Sequence, residues 1–195
     1  MNEQIGNNTL HKNTPLGVGD AKGFTFFASL VNTLGTSTKN SEKITALLDY
    51  FLTADDKDKV WVIAIFSGRR PKRIINSTIL ASWCIELSGI PTWLFEESYH
   101  TVGDLAETIG LLLPESSTPE SELQGLTINT LSYYLEKFIT LEKAEESIKK
   151  AFVIDTWMQL NQEERFVFNK LITGGFRIGV SQKMMVNALA KTTSV

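Results

Sequence analysis

Two stretches of this chain, Lys43–Gly68 and Lys149–Gly174, align without a gap at a constant offset of 106 residues, the distance from 43 to 149. Lys43, Asp49 and Gly68 meet Lys149, Asp155 and Gly174 identically. Phe51 meets Trp157, Asp55 meets Asn161, Lys59 meets Arg165 and Ser67 meets Thr173. Apolar positions agree as well: Leu47 with Val153, Leu48 with Ile154, Ile65 with Leu171 and Phe66 with Ile172. Each copy reads as a helix, a capped turn, a second helix, then Ser/Thr-Gly and a basic loop. A duplicated helical hairpin must bury its apolar stripes against other helices. If the copies are related by a pseudo-twofold, their two basic loops lie on one face.

Helical periodicity extends through most of the remaining sequence. Phe27, Leu30, Val31 and Leu34 recur at spacings of three and four, and Ile44, Leu47, Leu48 and Phe51 do the same. Asp55 or Asp56 is placed to cap a third helix carrying Val60, Ile63, Ala64 and Phe66, which Gly68 stops. Ser77 is placed to cap a fourth, with Leu80, Trp83, Cys84 and Leu87 inward and Gly89 and Pro91 at its end. Two shorter helices are expected over Trp93–Tyr99 and Asp104–Leu113, broken near Gly103. Pro114–Gly125 reads as an exposed loop. Long helices follow over 127–138 and 141–159, then one started by an Asn161–Glu164 capping box, and a last one over Ser181–Lys191. The β-branched runs are short and lack hairpin turns. The predicted fold is therefore all-α: a single domain of about ten helices over 23–195, with an internal pseudo-twofold repeat. Residues 1–22 are rich in Asn, Thr and Gly without periodicity and read as a flexible extension.

Composition narrows the chemistry. With 43% hydrophobic residues in 195, a sizeable core is available. The net charge of −3 provides no global attraction to nucleic acid or to an anionic membrane, so any anion binding must be local. The single cysteine, Cys84, lies in an apolar pattern and suggests a buried thiol, with no disulfide within the chain and no metal cluster. No signal peptide or membrane-length apolar run is present, so a soluble intracellular protein is expected.

Two loops carry the local charge. Ser67-Gly68-Arg69-Arg70-Pro71-Lys72-Arg73 holds four cations in seven residues. Arginine binds phosphate in bidentate fashion and lysine adds a point charge. Gly174-Gly175-Phe176-Arg177-Ile178-Gly179-Val180-Ser181 joins two helical patterns. Its glycines permit positive φ and close approach to a ligand. Ser181 is placed to cap the next helix, whose first N–H groups then face an anion. No Asn or Gln is placed to read bases, so positioning on a phosphate backbone is expected without sequence readout.

Catalytic signatures are missing. Glu96 and Glu97 are adjacent and diverge by roughly 100° on a helix, which disfavours a dyad. His100 has no second His or Cys at ligand spacing, and His11 falls in the extension. Asp104 with Glu107 reads as an N-cap and its capping-box partner. Neither a phosphate loop, nor a Gly-x-Ser-x-Gly elbow, nor a His-Glu-x-x-His helix occurs.

The run from Gly174 to Ser181, followed by Ala188-Leu189-Ala190, resembles the end of the N-terminal DNA-binding domain of ATP-dependent DNA ligases. Gly68–Arg73 and the stretch Trp93–Thr108 are similar to the bacterial members in particular. The resemblance spans about Phe24 to Leu189, with three separated motifs in order. It implies an all-helical domain that binds nicked duplex DNA across the minor groove, without sequence preference, in repair, replication and recombination. Transferred by motif, the DNA-facing residues are Gly68, Arg69, Arg70, Lys72 and Arg73, then Gly174, Gly175, Arg177, Gly179 and Ser181, with Lys183 beyond them.

The Lys-x-Asp-Gly motif, whose lysine takes AMP in such ligases, does not occur in this chain. The resemblance then implies a segment separated from its adenylation and OB-fold domains, which would use ATP and Mg²⁺ in the full-length enzyme. No catalytic residue, metal or cofactor is expected in this segment, and it should not become adenylylated. Its expected partners are nicked double-stranded DNA and those two domains, with no membrane. A monomer in the bacterial cytoplasm, at the nucleoid, is expected. Two rival readings are a helical protein-interaction domain whose basic loops bind an acidic partner, and an enzyme using Glu96, Glu97 or His100.

Overall fold

The computed structural model describes residues 23–69, 71–114, 129–176 and 179–192. Within them lie ten helices and no strand. They are α1 (Phe24–Thr36), α2 (Asn40–Thr53), α3 (Asp56–Phe66), α4 (Ser77–Ser88) and α5 (Thr92–Val102). These are followed by α6 (Leu105–Leu112), α7 (Leu131–Leu141), α8 (Glu146–Gln159), α9 (Gln162–Thr173) and α10 (Gln182–Thr192). The extension over 1–22 and most of the loop expected over Pro114–Gly125 lie outside the described residues.

Local chemistry accounts for the helix ends. Asn161 accepts from the Glu164 amide at 3.0 Å while the Glu164 carboxylate accepts from the Asn161 amide at 3.0 Å, closing the expected capping box. Gly89 takes the left-handed conformation, at φ +68°, that a helix C-terminus needs. Four expectations are corrected. Asn76, not Ser77, caps α4, accepting from the Ile79 amide at 2.8 Å. Asp55 precedes α3 without a side-chain cap bond. The helices expected over 127–138 and 141–159 start later, at Leu131 and Glu146, because Thr130 caps the first and a turn separates the two. Asp104 makes the N-cap half of its box, accepting from the Glu107 amide at 3.1 Å, and its other oxygen holds Lys170.

The repeat is realised in register. Adding 106 to the limits of α2, 40 and 53, gives 146 and 159, the limits of α8. The start of α3 maps in the same way onto the start of α9. The correspondence also extends outward, within one residue at their first positions, to α1 with α7 and α4 with α10. Packing follows the same exchange: α1 lies on α9 as α7 lies on α3, and α2 lies on α10 as α8 lies on α4. These are the contacts that a twofold relating the copies would generate.

A pair of buried acids sits on this relation. Asp58 accepts from the amides of Ser132 (2.8 Å) and Leu131 (3.3 Å) at the start of α7. Its counterpart Glu164 accepts from the Thr25 hydroxyl at 2.6 Å, at the start of α1. Each copy thus ties down the first turn of the other copy's first helix. Asp58 also corrects the face read for α3. Val62 and Ile65 point into the core with it, whereas Val60 is 64% exposed and Ile63, Ala64 and Phe66 are half-buried.

Apolar packing holds the halves together. Phe24 meets Tyr134 edge-on at 4.7 Å between ring centroids, and Tyr134 meets Phe168 at 5.3 Å. Trp157 is wholly buried and donates its indole N–H to Asn169 at 2.8 Å. Helices α5 and α6 interrupt the repeat and pack on the second copy through α6 and α9. Gly110 of α6 packs against the start of α9, where a Cβ would be in ordinary contact with the Gln162 carbonyl oxygen at 3.5 Å. Cys84 is buried as expected, and burial pushes its thiol up to about 12. No single helix among the described residues is long and apolar enough to cross a membrane.

Candidate nucleic-acid interface

The first basic loop begins where α3 ends. Gly68 adopts φ +79°, its amide bonds to the Ile65 carbonyl and the Arg69 amide to the Ala64 carbonyl. This is a Schellman ending, which reverses the chain within two residues and sends Arg69 outward into solvent. Buried Ile74 and Ile75 anchor the far end of the loop, and the Asn76 cap starts α4 directly after it. Of the cations between, Lys72 pairs with Glu142 at 3.0 Å, and Arg73 donates from Nη2 to the Thr173 carbonyl at 2.6 Å. Arg70 lies outside the described residues.

The second loop begins where α9 ends. Gly174 adopts φ +80°, matching Gly68, and its amide bonds to the Lys170 carbonyl at 2.8 Å. Gly175 is exposed and lies close to Lys170: a Cβ there would sit 3.4 Å from Nζ. Phe176 packs its ring on Phe27 of α1 at 6.2 Å, fastening the loop to the core. Gly179 is exposed at φ +62°. Ser181 caps α10 as expected, accepting from the Met184 amide at 3.2 Å, and Lys183 stands exposed in the first turn of α10. Arg177 lies outside the described residues.

These loops meet. Gly68, Pro71, Lys72 and Arg73 from the first, with Thr173 and Gly174 from the end of α9, line one cleft of about 320 Å³. The Arg73–Thr173 bond crosses it. Helices α3 and α9 both present their C-terminal ends here, which carry partial negative charge, and a guanidinium on the last carbonyl of α9 offsets it. Both following helices start at the loops and offer the positive ends of their dipoles. The cleft brings Lys72 and Arg73 beside the Gly68 and Gly174 backbone, in a chain whose net charge is −3.

Several contributors escape the sequence reading. Glu142 faces Lys72, Lys149 donates to the Glu142 carbonyl at 3.2 Å, and the Lys43 ammonium lies against Gly179. The identity of Lys43 and Lys149 in the repeat is the signal that could have found them. Lys170 braces the second loop from below, bonded to Asp104 and lying 5.3 Å over the Phe166 ring. Burial alone would raise the Asp104 carboxyl, but the Lys170 ammonium and the Glu107 amide outweigh it and hold the group below its ordinary value. Glu96, Glu97 and His100 stand exposed along α5.

Fold and cleft together define a class: an internally duplicated helical domain whose two glycine turns, at Gly68 and Gly174, share one cleft with Lys72 and Arg73. Residues 23–190 match the family model described as DNA ligase N terminus, and the chain belongs to that family, as an N-terminal domain of an ATP-dependent DNA ligase. Comparison with curated proteins gives no match.

Proposed function

We propose that this domain binds nicked duplex DNA across the minor groove and holds it for the sealing chemistry of a ligase, without reading base sequence. The observation that carries this reading is the single cleft shared by the two glycine turns and bridged by Arg73. Two turns so placed can each meet the sugar–phosphate backbone of one strand. Gly68, Gly174, Gly175 and Gly179 admit that backbone closely. Arg69, Arg70, Lys72, Arg177 and Lys183 supply charge, and the α10 start behind Ser181 supplies amide donors. Arg73, already bonded to the Thr173 carbonyl, serves mainly to hold the two loops together.

The contribution to catalysis is proximity and orientation. Adenylation and OB-fold domains of the same enzyme would supply the lysine, ATP and Mg²⁺. Their three steps would move AMP from ATP to the lysine with release of pyrophosphate, pass it to the 5′-phosphate, and expel it as the 3′-hydroxyl attacks that phosphate to form the phosphodiester.

Binding to a nicked duplex, titrated with salt, tests the reading. Affinity should fall linearly on a log–log plot and be the same for unrelated sequences. Changing Arg69, Arg70 and Arg177 together to Ala should flatten that slope by roughly 0.9 for each phosphate no longer neutralised. An unchanged affinity and slope in the triple variant would overturn the site. Tight binding to an acidic protein with none to DNA would overturn the function in favour of a protein-interaction domain.

A further inference from the structure

We propose that the groove between α1, α6 and α9 is a docking site for a basic peptide segment of a partner protein, with one apolar side chain seated in the groove and its flanking cations at the rim. The proposal stands apart from the DNA-binding reading, since the cleft shared by Gly68 and Gly174 is not part of this groove.

Three observations carry it. First, the groove encloses about 420 Å³, within the range of sites that receive a small ligand or a large side chain. Most of its lining is apolar: buried Val31 and Val167, half-buried Phe166 and Phe176, and Leu111, which is 52% exposed. A leucine left in water beside two phenyl rings is apolar surface that a partner can cover. Second, Gly35 keeps the groove open. It is the second-to-last residue of α1, its φ lies outside the left-handed region, and a Cβ there would meet nothing within 4 Å. Neither backbone conformation nor packing calls for glycine at this position, and a helical glycine costs up to about 1 kcal/mol against alanine. What the missing side chain preserves is space in the groove.

Third, the free charge at the rim is negative. Glu107 of α6 and Glu163 of α9 line the groove and stand exposed, and neither has an ion pair among the described residues. Lys170, the one cation in the lining among the described residues, is already bonded to Asp104 and lies over the Phe166 ring. An occupant that carries positive charge beside its apolar anchor therefore complements the rim. Exposed Asn32 and Gln162 add amide donors and acceptors that a peptide backbone can use. Apolar anchor, flanking cations and backbone amides together describe a basic peptide.

The test uses the whole chain and, as probe, an end-capped pentapeptide with phenylalanine at its centre and two lysines on each side. Added at millimolar concentration to isotope-labelled protein, it should shift the amide signals of Gly35, Gly110, Leu111 and Gly175 to saturation. Replacing its phenylalanine by alanine, or its lysines by glutamates, should abolish that saturation. Gly35→Leu projects into open space and should weaken binding roughly tenfold or more, the burial of one large apolar side chain being lost. Glu107→Gln combined with Glu163→Gln should weaken it about three- to tenfold. Thermal melts confirm that both variants fold. Shifts that fail to saturate in the groove, or an unchanged affinity in Gly35→Leu, would overturn the site. Equal affinity for the glutamate-flanked peptide would overturn the basic partner. A wild-type dimer that Gly35→Leu dissociates would replace that partner by a second copy of this chain. Since no DNA enters the experiment, its failure and the failure of the DNA-binding reading are told apart.

Discussion

The two basic loops start from a glycine in the same left-handed conformation and finish as different devices. Gly68 and Gly174 stand 106 residues apart with φ of +79° and +80°, although the Gly68 amide reaches back to Ile65 and the Gly174 amide to Lys170. Beyond the turn the copies diverge. The first loop is rich in cations, and at least two of them are engaged by the second copy: Lys72 by Glu142 and Arg73 by Thr173. The second is rich in glycine and gains rigidity from beneath, through Phe176 on Phe27 and Lys170 on Asp104. The first loop carries four cations and the cross-brace, while the second carries three glycines around a single arginine. Both copies keep a glycine here because the left-handed conformation that ends the helix is a local requirement. Side chains beyond it answer to neighbours that differ between the copies.

The largest expected effect on stability breaks this comparison at its root, in the crossed acids. Asp58→Ala strands the buried amides of Leu131 and Ser132 and should cost about 2–4 kcal/mol in urea denaturation. Glu164→Ala loses the Thr25 hydroxyl and the Asn161 amide, but exposed Asn161 can turn to water, so about 1–2 kcal/mol is expected. A larger loss for the glutamate would show that the two copies are not braced as the hydrogen bonds indicate.

A smaller effect separates the loops themselves. Gly68→Ala meets nothing within 4 Å, so its cost is backbone strain alone, about 1 kcal/mol. Gly179→Ala carries comparable strain and also pushes the Lys43 ammonium from 3.1 Å. Equal melting temperatures with a selective fall in DNA affinity for Gly179→Ala would sharpen the contrast. Equal affinities would remove it.

Much of this architecture is legible in the sequence. A repeat without gaps keeps helix limits in register, and capping signals such as Asn161–Glu164 and Ser181 act over three or four residues. Where sequence and structure differ, one cause recurs. Reading the inward face of α3 from apolar residues counts exposed Val60 and omits buried Asp58. A buried carboxylate that satisfies another helix's amides leaves no trace in hydropathy. The braces Lys72–Glu142, Arg73–Thr173 and Lys170–Asp104 join residues 66 to 100 positions apart, beyond the reach of any local pattern. Lys43 lies between these cases: the repeat displays its identity with Lys149, but only the packing places it beside Gly179 of the second loop.

The smallest effect concerns the brace that the second loop has and the first lacks, since Ala64 occupies the position equivalent to Lys170. Asp104→Asn isolates its charge, because the amide oxygen can still cap α6 at the Glu107 amide. The Asp104 side chain is 34% exposed, so solvent weakens the pair and a loss of about 0.5–1 kcal/mol is expected at pH 7. The sign of the pH dependence follows from the lowered carboxyl. Its contribution is complete above the unfolded carboxylate value of about 3.9 and disappears as pH falls through the lower folded value. Urea midpoints for wild type and variant should therefore converge between about pH 4 and the most acidic conditions the fold tolerates. A gap that persisted undiminished there would assign the loss to packing around Lys170 and Phe166 rather than to the ion pair.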